Sequence, residues 1–295
     1  KGSLGNVEVI TGSLGNYVWE DVNLNGLQDA NEPGINGVTV NLYEDVDGDG
    51  IAEPGGDDNG PIATTVTAPD GGGNDGYYLF ENLDAGDYFV EIIKPAGFEF
   101  TQQDAPGDGD ESDSDPDTGT QLTAVTQLDA GETDLTIDAG VYRPASLGDY
   151  VWVDTNLDGL QNDGNTGVSG VTVYLYRDVD NDGVVEPNGD DGGFVASTLT
   201  ANDGGGNPGY YLFDNLQPDT YQVEFVAPAG TMFTQQNAGV DDAIDSDADA
   251  TTGLADQVTL LSGGEDLTID AGLVELAALG DFVREDLNAD GIQND

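Results

Sequence analysis

Short stretches of the chain carry apolar residues at every second position. Val38, Val40 and Leu42 alternate with Thr39, Asn41 and Tyr43, and Tyr88, Val90 and Ile92 alternate with Phe89, Glu91 and Ile93. A period of two marks strands with one face buried. Further strands are predicted over 14–20, 62–67, 76–81, 98–101, 121–127 and 133–142. Gly, Asp, Asn and Pro cluster between them and read as turns. No segment carries a helical apolar stripe. About seven short antiparallel strands in some 130 residues predict an all-β fold, an immunoglobulin-like or prealbumin-like β-sandwich with Greek-key connections.

The pattern repeats. Ser13-Leu14-Gly15-Asn16-Tyr17-Val18-Trp19 returns as Ser146-Leu147-Gly148-Asp149-Tyr150-Val151-Trp152, and Ala278-Leu279-Gly280-Asp281-Phe282-Val283 starts it again. Val171, Val173 and Leu175, and Tyr221, Val223 and Phe225, copy the two alternating strands. The period is domain-sized, far longer than that of a solenoid. The predicted organisation is residues 1–12 as the end of a preceding repeat or a linker, 13–145 as one repeat, 146–277 as a second and 278–295 as the start of a third. Val7-Glu8-Val9-Ile10 reads as a last strand of the preceding repeat. The chain thus reads as a segment of a longer protein, and the short join Tyr142-Arg143-Pro144-Ala145-Ser146 predicts limited swing between repeats.

Charge changes the picture. There are 59 Asp and Glu against 5 Lys and Arg, a net charge of −54. Self-repulsion of that size opposes compaction unless cations offset it. It excludes nucleic acid, which needs a basic footprint, and disfavours anionic membranes. No apolar run is long enough to insert into a bilayer. With no Cys and no His, disulfides and the usual zinc or haem sites are excluded. A His base, a Cys nucleophile and a phosphate-cradling loop are all missing, so no enzyme is expected.

The acid is patterned. Asp21, Asn23, Asn25, Gly26, Asp29 and Glu32 spell D-x-N-x-N-G-x-x-D-x-x-E. This is the twelve-residue calcium loop: oxygen side chains at positions 1, 3, 5, 9 and 12, a carbonyl at 7 (Leu27 here), and a glycine for the bend. Asp154, Asn156, Asp158, Leu160 and Asn162 repeat it, with Asn165 where Glu32 stands and Asp163 as the compensating carboxylate. Asp286, Asn288, Asp290 and Ile292 begin it a third time. A second loop holds Asp45, Asp47, Asp49, Ile51 and Glu53, followed by Asp57 and Asp58; its copy is Asp178, Asp180, Asp182, Val184, Glu186, Asp190 and Asp191. Asp70 and Asp203 head Gly-rich stretches that read first as turns and second as lenders of a ligand. Asp113, Asp115, Asp245 and Asp247, in two acidic Asp-Ser-Asp loops, are further candidates against the plainer reading of a solvated charge run.

The segments 148–161, 167–173 and 209–216 together resemble the B-type repeats of serine–aspartate-repeat bacterial surface adhesins, the SdrD B-like domains. The resemblance covers nearly all of both repeats. It implies a calcium-dependent β-sandwich used in tandem as a stalk, extracellular, at the cell surface or secreted. It also implies Asp21, Asn23, Asn25, Asp29 and Glu32, with Asp154, Asn156 and Asp158, as ligands. Related domains carry a Lys–Asn crosslink; the opening strand here has no Lys, so none is expected. The partners expected are neighbouring repeats, and in a filament other copies of the chain. A ligand-gripping face for a host or matrix molecule is the remaining alternative, with Tyr43, Tyr174 and Tyr176 as its aromatics.

Overall fold

The structure is a computed structural model that describes residues 10–106, 111–187 and 189–277, with residues 279, 280, 285, 287 and 292. Asp286, Asn288, Asp290 and the segment Val7–Val9 lie outside the described residues, and Ile292 is exposed.

Residues 12–142 form nine strands. They are β1 (Gly12–Glu20), β2 (Thr39–Glu44), β3 (Ala63–Val66), β4 (Tyr77–Leu83), β5 (Gly86–Ile92), β6 (Glu99–Phe100), β7 (Thr126–Leu128), β8 (Thr133–Asp134) and β9 (Ala139–Tyr142). One sheet runs β4-β1-β9-β6, with β8 also on β1; the other runs β3-β2-β5-β7. Val40, Leu42, Val90 and Ile92 point from the second sheet onto Leu14, Val18 and Val141 of the first, and all are fully buried. The inward half of the predicted alternation is thus the core face, while Tyr43 and Phe89 of the outward half are also buried, against each other.

Residues 145–275 repeat this as β10 (Ala145–Val153), β11 (Thr172–Arg177), β12 (Ala196–Leu199), β13 (Tyr210–Leu216), β14 (Asp219–Phe225), β15 (Thr231–Phe233), β16 (Val258–Leu260), β17 (Glu265–Asp266) and β18 (Ala271–Glu275). The sheets are β13-β10-β18-β15, with β17 on β10, and β12-β11-β14-β16. We refer to the two copies as unit 1 and unit 2.

Three details differ from the prediction. The last strand pairs with the first in parallel, Val18 to Ala139 and Val151 to Ala271, so the sandwich is not wholly antiparallel. The stretch 133–142 is two strands, because Asp134 Oδ1 accepts the Thr136 N–H (3.0 Å) and hydroxyl (2.7 Å) and this local turn competes with the ladder. The stretch 121–127 contracts to β7. Glycine is obligatory at Gly34, where an added Cβ would lie 1.8 Å from the Asp75 carbonyl oxygen.

The aromatics proposed for a binding face are mostly inside. Tyr43 and Tyr176 are buried, Tyr43 stacks on Phe89 at 4.9 Å, and their hydroxyls bond Glu91 and Glu224. Tyr174 packs against Phe194. Cross-strand packing accounts for Tyr43 and Tyr176, whereas Tyr174 is half-buried and Phe194 is an exposed loop residue. Lys94 pairs with Glu99.

The units meet through a polar joint. Arg143 forks onto Glu20, with bonds of 2.8, 3.0 and 3.0 Å, and lies over the Phe98 ring. The Ser262 hydroxyl donates to Glu20 Oε1 (2.6 Å) and accepts the Arg143 N–H (2.8 Å). The Ser262 N–H donates to the Val22 carbonyl (2.9 Å). Val22 is the second residue of the first calcium-pattern loop, so that loop of unit 1 docks on unit 2.

Candidate metal centres

Each twelve-residue loop is built on its first Asp. Asp21 is fully buried. Its oxygens take the Asn25 N–H (3.2 Å), the Gly26 N–H (2.8 Å) and the Thr101 hydroxyl (2.5 Å). Asp154 does the same with Leu157 N–H (2.7 Å), Gly159 N–H (2.9 Å) and the Thr234 hydroxyl (2.6 Å). Gly26 and Gly159, at position 6, have φ of 79° and 77°, a left-handed bend that costs Gly nothing sterically. The bend returns the chain so that later side chains converge. Asn23 and Asn25 both aim their amides at Asp29 Oδ2, at 3.0 and 3.1 Å. In unit 2, Asn156, Asp158 and Asn162 converge likewise, at 2.8–3.0 Å. Positions 3, 5 and 9 are therefore brought together in both copies.

Glu32 and Asp163 close their loops. Glu32 accepts the Val22 N–H (2.6 Å) and the Asp29 N–H (3.0 Å), and burial raises its pKa. Asp163 accepts the Thr155 N–H (3.1 Å) and also bonds the Thr155 hydroxyl.

The second loops follow the same plan. Asp45 takes the Gly48 and Gly50 N–H groups at 2.8 and 2.9 Å, and Asp178 takes the Gly183 N–H at 2.8 Å. Asp58, buried, closes the loop on the Val46 and Glu53 N–H groups (3.0 and 2.9 Å). Asp191 does so on Val179 and Glu186 (2.5 and 2.8 Å). The neighbouring Asp57 and Asp190 are exposed. Asp45, Asp47 and Asp49 each offer a carboxylate oxygen, all within 4.8 Å of one another, and so do Asp178, Asp180 and Asp182. Asp178 Oδ1 is buried with no donor. Glu53 and Glu186 face these triads: desolvation and then the charges of Asp49 and Asp182 raise their pKa values. Such a set of hard oxygens without nitrogen or sulfur can hold a divalent cation of the calcium type. The carbonyl-bearing residues of the two loops, Leu27, Leu160, Ile51 and Val184, stand on the loop segments just past the bends.

Asp70 and Asp203 are turn heads. Asp70 accepts from the Gly72 and Asn74 N–H groups, the Asn74 amide and the Tyr17 hydroxyl, all at 2.7–2.8 Å. Asp203 has the same four kinds of donor. The Tyr17 hydroxyl bond heads the causes that hold Asp70 well below the usual carboxylate range; burial and that same bond push Tyr17 up to about 12.

The acidic loops pack against the last strands. Asp113, Asp115, Asp245 and Asp247 are all largely buried. Here the structure adds residues that the sequence did not single out. Asp138 and Asp270 are fully buried, and burial above all pushes them up to about 8 and about 9. Burial likewise pushes Asp247 up to about 7. The available signal was an acid lodged in an apolar stretch, Ile137-Asp138-Ala139 and Ile269-Asp270-Ala271. Thr101 and Thr234, which orient the first Asp of each loop, had no such signal.

Two β-sandwiches in tandem, each with backbone-organised Asp loops at its edges, define a repeat module of the acidic, metal-competent kind. The SdrD B-like domain model matches residues 12–141 and 145–273, and the chain belongs to that family, whose members are non-enzymatic repeats of surface adhesins. Serine-aspartate repeat-containing protein F of Staphylococcus epidermidis is 38% identical over 286 residues, 96% of this chain and 14% of the relative. Serine-aspartate repeat-containing protein D of Staphylococcus aureus (strain Newman) is 38% identical over 285 residues, 96% of this chain and 18% of the relative. The chain therefore spans less than a fifth of the length of these relatives. Among solved structures, a streptococcal ancillary pilin aligns over 91% of this chain and 63% of its own, at 15% identity and a TM-score of 0.31, too low to carry an argument. Among the described residues no helix is long and apolar enough to cross a membrane.

Proposed function

We propose that this segment is a calcium-stabilised spacer of a bacterial surface adhesin, an extracellular run of sandwiches that holds a binding region away from the cell. The observation that carries the reading is the second loop: three carboxylates within 4.8 Å of one another, recurring at the same place in both units. Like charges gathered in that way call for a cation between them. The first loop extends the effect to the joint. Val22 gives its N–H to Glu32 and its carbonyl to Ser262, so ordering that loop also orders the contact with unit 2. Neighbouring repeats are then the principal partners. Extracellular modules hold calcium with Kd of roughly 10⁻⁴–10⁻³ M. At about tenfold saturation each site adds about 1.4 kcal/mol to the folded state.

Thermal melts in millimolar calcium and in chelator, at fixed high sodium chloride, test this. Two sites per unit predict a fall of about 10 °C on chelation. Equal melting temperatures would leave the loops as turns and the acid as adaptation to salt.

A further inference from the structure

The face of unit 2 that meets unit 1 differs from the same face of unit 1. The sheet registers align the two copies residue by residue. Glu20 lies opposite Val141 as Val153 lies opposite Leu273, and Glu44 lies opposite Tyr88 as Arg177 lies opposite Tyr221. On that alignment unit 2 carries Arg177, Gln217 and Thr220 where unit 1 carries Glu44, Asp84 and Asp87. It carries Ser262 where unit 1 has Ala130, and Arg143 leads into it where Ile10 leads into unit 1. One exchange runs the other way: Gly86 becomes Asp219, whose carboxylate lies 3.5 Å from Arg177 Nε. Acid is withdrawn and cations are added at the face that receives unit 1.

We infer that this face is a socket matched to the first-loop end of the unit before it, so that the joint fixes the order of the repeats: unit 2 can follow unit 1, and unit 1 cannot stand in its place. Glu20 is 7% exposed, and its carboxylate takes its donors from Arg143 of the link and Ser262 of unit 2. With Ile and Ala at those places, as at Ile10 and Ala130, Glu20 would be a buried charge without a partner, which is strongly unfavourable. A cleft of about 450 Å³ lies beside this fork, with Asn23, Leu24 and Gln102 of unit 1 on one wall and Arg177, Gln217 and Thr220 of unit 2 on the other. Arg177 Nη1 donates to Gln217 Oε1 (3.0 Å), and the Gln217 amide reaches the hydroxyl of Tyr142 of unit 1 (3.4 Å). Carboxylates like Glu44, Asp84 and Asp87 on that wall would face the acids of the first loop, and like charges set against each other across an interface repel.

The far end of unit 2 does not copy the far end of unit 1. Val153 stands at the place of Glu20, and Glu275, opposite Thr231, stands at the place of Arg143. The same fork cannot form there, so a unit placed after unit 2 meets a surface of different chemistry. Of the 5 Lys and Arg in the chain, Arg143 and Arg177 both lie at the joint between units 1 and 2. In a chain this acidic, cations placed there let two like-charged units abut.

The chain has no Cys, so Thr118→Cys and Ala250→Cys, both at exposed positions, place one nitroxide label on each unit of the whole segment. Pulsed electron spin resonance in calcium then reads the distribution of distances between the units, with folding checked by circular dichroism. Two variants give unit 2 the residues of unit 1: Arg143→Ile with Ser262→Ala, and Arg177→Glu with Gln217→Asp and Thr220→Asp. Each is expected to roughly double the width of the distribution, because units without a matched interface move relative to one another. A control adds acid away from the joint, Thr64→Glu with Ser197→Glu and Thr251→Glu, and is expected to keep the parent's width. The parent's width in both exchange variants, or equal broadening in the control, overturns the socket. Should one exchange variant unfold, the other decides. Every acid of the calcium-pattern loops stays in place in these variants, so the melting temperature on chelation tests the spacer reading separately, and either reading can fail alone.

Discussion

The first loops of the two units do the same job with different residues. Unit 1 closes its loop with Glu32, at the twelfth position. Unit 2 has Asn165 there, exposed, and closes with Asp163, two places earlier. A shorter side chain at an earlier position reaches the same target, the N–H of the residue after the first Asp. The target residue changes as well: Val22 in unit 1 is Thr155 in unit 2, and its hydroxyl bonds Asp163. The second loops repeat the lesson, with Asp58 and Asp191 closing on Val46 and Val179 beyond the twelfth position, which is Gly56 in unit 1. What these loops require is a carboxylate anchored on that N–H. A Glu at a fixed spacing is one way to supply it.

The largest effect should come from what the copies share. Asp21→Ala and Asp154→Ala each remove a buried hub with three donors, leaving the Thr101 hydroxyl and Gly26 N–H, or the Thr234 hydroxyl and the Leu157 and Gly159 N–H groups, without their acceptor; the Asn25 N–H keeps Asn23 Oδ1. Each is expected to destabilise its own unit by about 3 kcal/mol, read from urea unfolding in calcium. A loss below about 1 kcal/mol in either copy would mean that the loop is organised by something other than its first Asp.

The next effect should fall on one copy only. Thr155→Val removes the hydroxyl bond to Asp163 and is expected to cost unit 2 about 1 kcal/mol. The reciprocal Val22→Thr in unit 1 gives Glu32 nothing it lacks, since both its oxygens already hold N–H groups. That variant should stay within about 0.5 kcal/mol of the parent. Matching losses in the two copies, followed by the same urea titration, would show that Thr155 is not part of the closure.

Alternation and loop pattern were legible because both are local. Leu42 faces the core and Thr39 does not because of a period that needs no knowledge of the partner strand. The Asp21 and Asp45 patterns are likewise set by the geometry of a few consecutive residues. The choice of Asp58 over Asp57, the split at Leu135–Asp138 and the buried carboxylates of Asp138 and Asp270 were not legible. Each depends on what lies opposite. Asp138 is held by the Tyr17 N–H, 121 residues away in sequence, and faces an acidic loop arriving from another part of the chain. A lone acid in an apolar stretch gives only a warning; the topology that places it against Asp113 and Asp115 supplies the meaning.

A smaller difference between the copies should appear only with pH. Asn16 of β1 donates its amide to the Leu135 carbonyl at 3.0 Å. Its counterpart in β10 is Asp149, half-buried, and burial alone pushes its carboxyl up to about 6. In the unfolded chain that group titrates near a pKa of about 3.9. The folded state therefore holds the proton more tightly. The stabilisation is fully present below about pH 4, is lost as pH rises through about 6, and is absent at neutral pH. Asp149→Asn removes the dependence. Discounted for a group that is half in solvent, the variant should gain about 1 kcal/mol over the parent at pH 7. At about pH 4, where the parent's carboxyl is already protonated when folded, the gain should vanish. The comparison is the difference in urea midpoint between variant and parent at each pH, in which the effect of acid on calcium binding cancels. An equal gain at both pH values would assign the benefit to a new amide hydrogen bond of the Asn16 kind, and the buried charge would then have no part in the difference between the units.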